Sequence, residues 1–212
     1  MKKTSKRLLA LTCMAIMFAA NSTMAYASNV ENVKTPTAEV TITDPQTNEE
    51  WKWNVEVPEE NILMYSTYDA DGQEFGTAVA EIELGDMLLA SYPDSRSEIG
   101  GIEVKATVGL DFIVDPSRNT LALTRVFGTY EPMNSLYYIY DRTVLWANSG
   151  GFDHNEVYPT SNSWSYKPDT TPCAYESSTL APYALTECWF GVGGMSGAGD
   201  RQISVRLLLD WL

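Results

Sequence analysis

Residues Ile102–Val114, with the sequence IEVKATVGLDFIV, carry the clearest structural signal in this chain. Every second residue is apolar, which is the periodicity of a β-strand with one buried face. The next segment, Asp115–Asn119 (DPSRN), has turn-forming residues, and Thr120–Tyr130 (TLALTRVFGTY) is again rich in strand-forming residues. The sequence therefore predicts a long antiparallel hairpin from about residue 101 to residue 131.

The same alternation recurs elsewhere and extends the prediction to the rest of the chain. Two further hairpins and two later strands are indicated; they are Thr37–Thr43 with Trp51–Val57, Ile62–Tyr68 with Thr77–Leu84, and strands within Ser135–Ser149 and Arg201–Leu212. Residues Phe152–Pro172 are rich in Ser, Thr, Asn and Pro and are predicted to be mostly loop. We expect an all-β fold of about eight to ten strands, a single-domain antiparallel β-sandwich or a flattened barrel.

The N-terminus has the pattern of a bacterial secretory leader. Basic residues precede the apolar run Leu8–Ala20, which is too short to span a bilayer, and an A-x-A cleavage pattern ends at Ala27. We therefore predict a signal peptide over residues 1–27, a flexible tail over 28–36 and one domain over 37–212. The mature protein is expected to be secreted without a membrane anchor, and a periplasmic location stays open.

The three cysteines are interpreted in the light of that leader. Cys13 lies inside the apolar run and would be removed with it, which leaves Cys173 and Cys188 in the mature chain. Two cysteines in an oxidising compartment predict one disulfide bond, Cys173 to Cys188. Neither a C-x-x-C spacing nor a neighbouring histidine indicates redox chemistry or a metal site there.

The charge balance limits the classes of partner. The leader holds four of the fourteen Lys and Arg residues and none of the twenty-eight Asp and Glu residues, so the mature net charge is about −18. Nucleic acid and anionic lipid are disfavoured, because binding to either depends on cationic side chains. Cationic partners and calcium are compatible with such a surface.

Four features resemble catalytic or metal motifs, and each has a simpler explanation. Glu81 and Glu83 project from one strand face at a spacing that suits a glycoside hydrolase, but an acidic chain produces such pairs by chance. The DADGQE segment, Asp69–Glu74, lacks the later ligands of a calcium loop and fits a hairpin turn. Ser196 lies among glycines without the full nucleophile motif, and the single histidine, His154, cannot build a multi-histidine zinc site. We expect no cofactor.

The aromatic residues give the most informative functional signal. In a regular strand over LYYIYDRTVLWA, Tyr138, Tyr140 and Trp146 would share one face with Leu136 and Val144, and the opposite face would be apolar as well. Trp164 and Tyr166 follow in a segment predicted to be loop. These five aromatic residues are the candidate binding residues, because Tyr and Trp combine a flat apolar body with a polar edge. Burial of the same residues in the core is the competing interpretation.

No motif resembles that of a family with known activity, so the functional hypotheses rest on the surface. The favoured one is a secreted, non-catalytic binding protein that presents aromatic and acidic side chains to a protein or glycan partner. A secreted hydrolase with paired carboxylates and a secreted antimicrobial or toxin-like factor are the alternatives. The oligomeric state stays open.

Overall fold

The computed structural model describes residues 36–66, 73–84, 103–148, 154–169, 171–174, 181–193 and 200–209. All of them belong to one compact unit, Lys34–Leu212. The predicted signal peptide and nearly all of the predicted tail lie outside the described residues and stay predictions. Within the described ranges, no helix is long and apolar enough to cross a bilayer.

The described residues form twelve β-strands and one short 3-10 turn at Glu59–Asn61. The strands are β1 Thr37–Asp44, β2 Glu49–Glu56, β3 Ile62–Ser66, β4 Glu74–Glu83, β5 Val104–Asp115, β6 Thr120–Pro132, β7 Tyr137–Ala147, β8 His154–Val157, β9 Ser163–Tyr166, β10 Cys173–Ala174, β11 Tyr183–Val192 and β12 Arg201–Leu208. The all-β prediction is confirmed. The twelve strands exceed the predicted eight to ten, partly because the segment predicted to be mostly loop contains β8 and β9.

Two antiparallel sheets contain these strands, and neither closes into a barrel. The first sheet has the order β2-β1-β12-β11-β7-β8, and the second has the order β10-β6-β5-β4-β3. Strand β9 joins the second sheet by pairing with β6. The flattened-barrel alternative is therefore wrong, and two open sheets are the observed arrangement.

The predicted hairpin over residues 101–131 is confirmed as β5 and β6. Its turn is closed by Asp115, whose carboxylate accepts hydrogen bonds from the Ser117 hydroxyl at 2.6 Å and the Arg118 amide at 3.1 Å. The bond from Ser117 lowers the pKa of Asp115 below its usual value. Asn119 completes the turn with a φ of 53°, a conformation that asparagine tolerates better than most residues.

One apolar core lies between the inner faces of the two sheets. Alternate residues of β5 and β12 are almost fully buried in it, as the period-two pattern predicts. The core also contains a buried ion pair, in which Arg201 Nη2 lies 3.0 Å from Asp44 Oδ2. The other oxygen of Asp44 accepts a hydrogen bond from the Gln46 amide at 2.8 Å, so this carboxylate also holds the turn after β1.

The predicted Cys173–Cys188 disulfide is wrong. Cys188 is a free thiol that is fully buried on the inner face of β11 in the first sheet, whereas Cys173 begins β10 in the second sheet. Cys188 lies within residues 183–192, which form a core strand. Burial raises the pKa of the Cys188 thiol to about 12, with the Tyr130 hydroxyl beside it opposing this shift. The thiol is therefore protonated and unreactive in the native protein.

Thiol counting tests this correction. We expect Cys188→Ser to lower by one the number of thiols that react with a disulfide reagent in denaturant, and to leave the native number unchanged. The reason is that burial in the folded protein, and not a covalent bond, keeps the Cys188 thiol from reacting. If Cys188 were bonded to Cys173, the same substitution would release a thiol and raise the number in denaturant by one.

Candidate binding surface

A β-bulge in β7 decides which aromatic side chains face solvent. Tyr140 pairs with Trp189 of β11 and Thr143 pairs with Glu187, so that two residues of β7 oppose Cys188 alone. Asp141, the first of these two, has a φ of 45°. The extra residue shifts the alternation by one position, and the strand presents opposite faces before and after it.

The prediction that Tyr138, Tyr140 and Trp146 share one face is therefore wrong. Tyr138 and Tyr140 lie before the bulge and face outward, whereas Val144 and Trp146 lie after it and face the core. A regular strand was assumed in that prediction, and a single inserted residue exchanges the two faces.

Three of the five predicted binding residues line the interior. Trp146 and Trp164 are buried in the core, and the partly buried Tyr166 packs against both, with ring centroid distances of 5.8 Å and 6.3 Å. Gly128 of β6 provides space for the Trp164 ring, since a Cβ at this glycine would lie 2.5 Å from Trp164 Cζ2. Trp146, Trp164 and Tyr166 are placed to support the fold.

The other two predicted residues form an outward-facing cluster with a third ring that the sequence analysis missed. The centroids of Tyr138 and Tyr140 are 5.5 Å apart, those of Tyr140 and Trp189 are 6.4 Å apart, and both pairs are within 30° of parallel. We call Tyr138, Tyr140 and Trp189 the aromatic platform. Trp189 was missed because β11 was not recognised as a strand; the alternation of its buried residues is the signal that would have placed Trp189 outward.

Tyr138 lies against the sheet and has one side open to solvent. A Cβ at Gly191, the residue opposite Tyr138 on β11, would lie 2.6 Å from the Tyr138 Cζ and hydroxyl oxygen atoms. The tyrosine ring therefore occupies the space above the glycine. Tyr138 is 44% exposed, so part of its ring is accessible to another molecule.

Two other aromatic rings on the outer faces are each covered by an arginine. The Arg125 guanidinium carbon lies 4.2 Å from the centroid of Phe127, and that of Arg206 lies 4.3 Å from the centroid of Tyr183. Among the described residues, no arginine covers the aromatic platform in this way.

Asp200 lies at the edge of the platform, just before β12. Its Oδ2 accepts a hydrogen bond of 2.7 Å from the Tyr140 hydroxyl, and its Oδ1 is buried without a hydrogen-bond partner in the described part of the chain. Burial, followed by this bond to Asp200, raises the pKa of Tyr140 well above its usual value. Tyr140 is therefore a neutral donor that fixes a carboxylate beside the rings.

A cleft of about 640 Å³ adjoins the platform at Tyr140. Tyr158, which is 69% exposed, lines it together with Arg142 and Thr160. Arg142 is held in position, because its Nε donates to Asn162 Oδ1 at 3.0 Å and its Nη2 donates to the Ile139 carbonyl at 2.5 Å. The platform and the cleft form one continuous outer surface around Tyr140.

The residues that resemble catalytic or metal motifs do not assemble into a site within the described ranges. Glu81 and Glu83 are exposed on the outer face of the second sheet, and Lys105 Nζ binds Glu81 Oε2 at 2.8 Å. Ser196, the side chain of His154 and most of the DADGQE segment lie outside the described residues. Among the residues that are described, no group of three His, Cys, Asp or Glu side chains is arranged to hold a metal ion.

Comparison with protein-family models, with curated proteins and with solved structures finds no match for this chain. The geometry of the outer surface is therefore the basis on which a function is inferred.

Glu187, two residues before Trp189 on β11, should make the melting temperature of the protein depend on pH. Burial raises the pKa of this carboxyl, so its charged form destabilises the folded protein above that pKa and the effect disappears as the carboxyl is protonated. We expect Glu187→Gln to raise the melting temperature at pH 7 by about 1 to 2 °C, a small value because solvent screens a half-buried group. Below about pH 4 the gain should vanish, since the carboxyl is then protonated in both states.

Thermal melts of this variant at pH 7 and pH 3.5 would provide the measurement. Glu83→Gln, on the exposed outer face of the second sheet, controls for the loss of one negative charge. Equal gains at both pH values, or equal gains in both variants, would contradict the assignment to burial.

Proposed function

We propose that this protein is an exported, non-catalytic binding protein that docks a partner protein with a basic surface on the aromatic platform. The observation that carries the proposal is the set of three adjacent rings with no arginine of the described residues over them, on a protein that covers Phe127 and Tyr183 with arginines. Aromatic residues of this kind supply much of the affinity of protein interfaces when a partner excludes water from them.

Charge favours a basic protein as the partner. The mature chain has a net charge of about −18, and Asp200, Asp141 and Glu187 all lie around the platform. Complementary charge accelerates association and excludes partners of the same sign. A neutral glycan would stack on the rings without using this charge, and it is therefore the second outcome of the experiment below.

The hydrolase hypothesis has less support from the described residues. A glycosidase needs two carboxyl groups that flank one bond. Asp141 is the carboxylate among the described residues that line the cleft next to the platform. Glu81 and Glu83 lie on the outer face of the other sheet, where Lys105 neutralises the first of them.

Calorimetric titration of the purified mature chain with three probes tests the proposal. The probes are an arginine-glycine octapeptide, a glutamate-glycine octapeptide and a neutral chitohexaose. We expect the basic peptide to bind and Trp189→Ala to weaken its binding by about tenfold or more, the effect of losing an aromatic hot spot. Tyr183→Ala is the matched control, because Tyr183 is on the same strand and face but is already covered by Arg206. It should change the affinity by less than about twofold.

The outcomes separate the alternatives. Binding of the basic peptide that is unaffected by Trp189→Ala would contradict the proposed site. Binding of chitohexaose in place of the peptide would replace the protein partner with a glycan. Binding of the acidic peptide would contradict the role of charge.

A further inference from the structure

We infer that the cleft beside the platform binds an acidic sugar, a uronic acid within a short glycan, whose carboxylate is held by Arg142. This would be a second site, and it does not depend on the partner proposed for the platform. The cleft combines an arginine that no described carboxylate neutralises, an exposed tyrosine and an acceptor for sugar hydroxyls.

The bulge in β7 builds one wall of the cleft. Consecutive residues of a strand normally point to opposite faces, but Asp141 and Arg142 both line this cleft. They are the two residues that oppose Cys188 alone, and Asp141 has a φ of 45°. The bulge therefore brings an acid and a base to the same concave surface.

Arg142 is fixed in position, and one of its amino groups stays open. Its Nε and Nη2 both donate to Asn162 Oδ1, and Nη2 also donates to the Ile139 carbonyl. The Asn162 carbonyl accepts a hydrogen bond of 2.8 Å from the Tyr130 amide, so the loop that holds the arginine is itself held to β6. Nη1 makes no hydrogen bond to the described residues and is accessible to solvent. The guanidinium is therefore positioned before a ligand arrives.

The positive charge of Arg142 has no carboxylate partner in the described part of the chain, because its hydrogen bonds all go to neutral oxygens. Six other described cations each lie within 3.6 Å of a carboxylate; they are Lys52, Lys105, Arg118, Arg125, Arg201 and Arg206. Lys167 is exposed on the surface, whereas Arg142 is partly buried. Arg142 is therefore available to an anion from outside the chain, and a carboxylate matches the planar fork of a guanidinium.

The rest of the lining favours a sugar as the carrier of that carboxylate. Tyr158 is 69% exposed and offers a ring on which a sugar can stack, and Thr160 adds a hydroxyl. The Asp141 carboxylate can accept hydrogen bonds from sugar hydroxyls. A peptide carboxylate would also satisfy Arg142 but would bring no hydroxyl groups to Asp141, and it is therefore the second outcome of the experiment below.

Charge limits how many acidic groups the ligand can carry. Asp141 lines the cleft, and Glu156 accepts a hydrogen bond from the Tyr158 hydroxyl, which raises the pKa of Tyr158. A run of adjacent uronates would be repelled by these carboxylates and by the mature net charge of about −18. A glycan with one uronic acid among neutral sugars is the class that fits.

Cellobiouronic acid and cellobiose are matched probes, because they differ only in a carboxylate that replaces a hydroxymethyl group. In calorimetric titrations of the mature chain at neutral pH, we expect cellobiouronic acid to bind at least tenfold more tightly than cellobiose. Arg142→Gln should reduce the affinity for cellobiouronic acid to that for cellobiose. Tyr158→Ala should weaken the binding of cellobiouronic acid about fivefold, and its exposed position makes unfolding unlikely to interfere.

Arg118→Gln is the control for the loss of one cation, since Arg118 lies in the exposed turn between β5 and β6, and it should leave the affinity unchanged. Circular dichroism melts show whether each variant folds; if Arg142→Gln does not, the pair of sugars and Tyr158→Ala still test the site. Equal affinities for the two sugars, binding of neither, or no effect of Tyr158→Ala would contradict it.

Two further results would assign the binding elsewhere. Tighter binding of N-acetylglutamate amide than of cellobiouronic acid would replace the sugar with a peptide carboxylate. Weaker binding of cellobiouronic acid to Trp189→Ala, with no effect of Arg142→Gln, would move the sugar to the platform and contradict the site in the cleft. The proposed function is judged separately, by the binding of the arginine-glycine peptide.

Discussion

Arg201→Ala is expected to lower the free energy of unfolding by about 3 to 5 kcal/mol, the usual result of removing one partner from a buried ion pair. Arg201 and Asp44 have side chains only 9% and 11% exposed, so the carboxylate would stay in a poorly hydrated environment without its cation. Asp44 cannot easily turn away, because it also holds the amide of Gln46. Urea unfolding followed by circular dichroism provides the measurement.

Two further variants make this prediction specific. Lys52→Ala removes a shorter but exposed contact to Glu50, of 2.6 Å, on the same sheet and should cost less than about 1 kcal/mol. The double variant Arg201→Met with Asp44→Asn removes both charges and should be more stable than Arg201→Ala. A single variant as stable as the wild type would show that the pair is not buried in solution.

Gly128→Ala should produce the second large loss, about 3 kcal/mol, at the upper end of the range for overpacked cores. A Cβ at this position would lie 2.3 Å from the Thr107 carbonyl oxygen and 2.5 Å from Trp164. The carbonyl belongs to β5, which is paired with β6 along its length, so neither strand can move away locally. The measurement is again the free energy of unfolding.

Gly109→Ala is the matched control for that substitution. The three atoms nearest to its Cβ would all belong to the Phe127 ring on the outer face, and none of them is a backbone atom of a paired strand. We expect a loss below about 1 kcal/mol, because alanine also reduces the entropy of the unfolded chain. Equal losses for the two glycines would contradict the inward position of Trp164 and the outward position of Phe127.

Much of the fold was predictable because alternation is a direct consequence of sheet geometry. The hairpin of β5 and β6 was predicted from residues 102–130, and Glu81 and Glu83 face solvent as their alternation with Ile82 indicates. Strands β8 and β9 were missed, because four-residue strands in a segment rich in Ser, Thr and Asn are too short to show a period.

The candidate site was less predictable, because it depends on a single inserted residue. A bulge at Asp141 has no clear sequence signature, yet it sends Tyr138 outward and Trp146 inward. The disulfide prediction was wrong because two cysteines in a chain predicted to be secreted suggest pairing, whereas Cys188 is a free thiol and the two strands lie in different sheets. Trp189 became visible only when β11 placed it beside Tyr140.

Amide and indole chemical-shift mapping by NMR, during titration with the arginine-glycine octapeptide, tests the docking surface most directly. The account predicts that the largest shifts occur at the Trp189 indole N–H and the Gly191 amide, with weak shifts at Gly109 and Phe127 on the second sheet. Shifts centred on the second sheet, or spread evenly over the acidic surface, would contradict it.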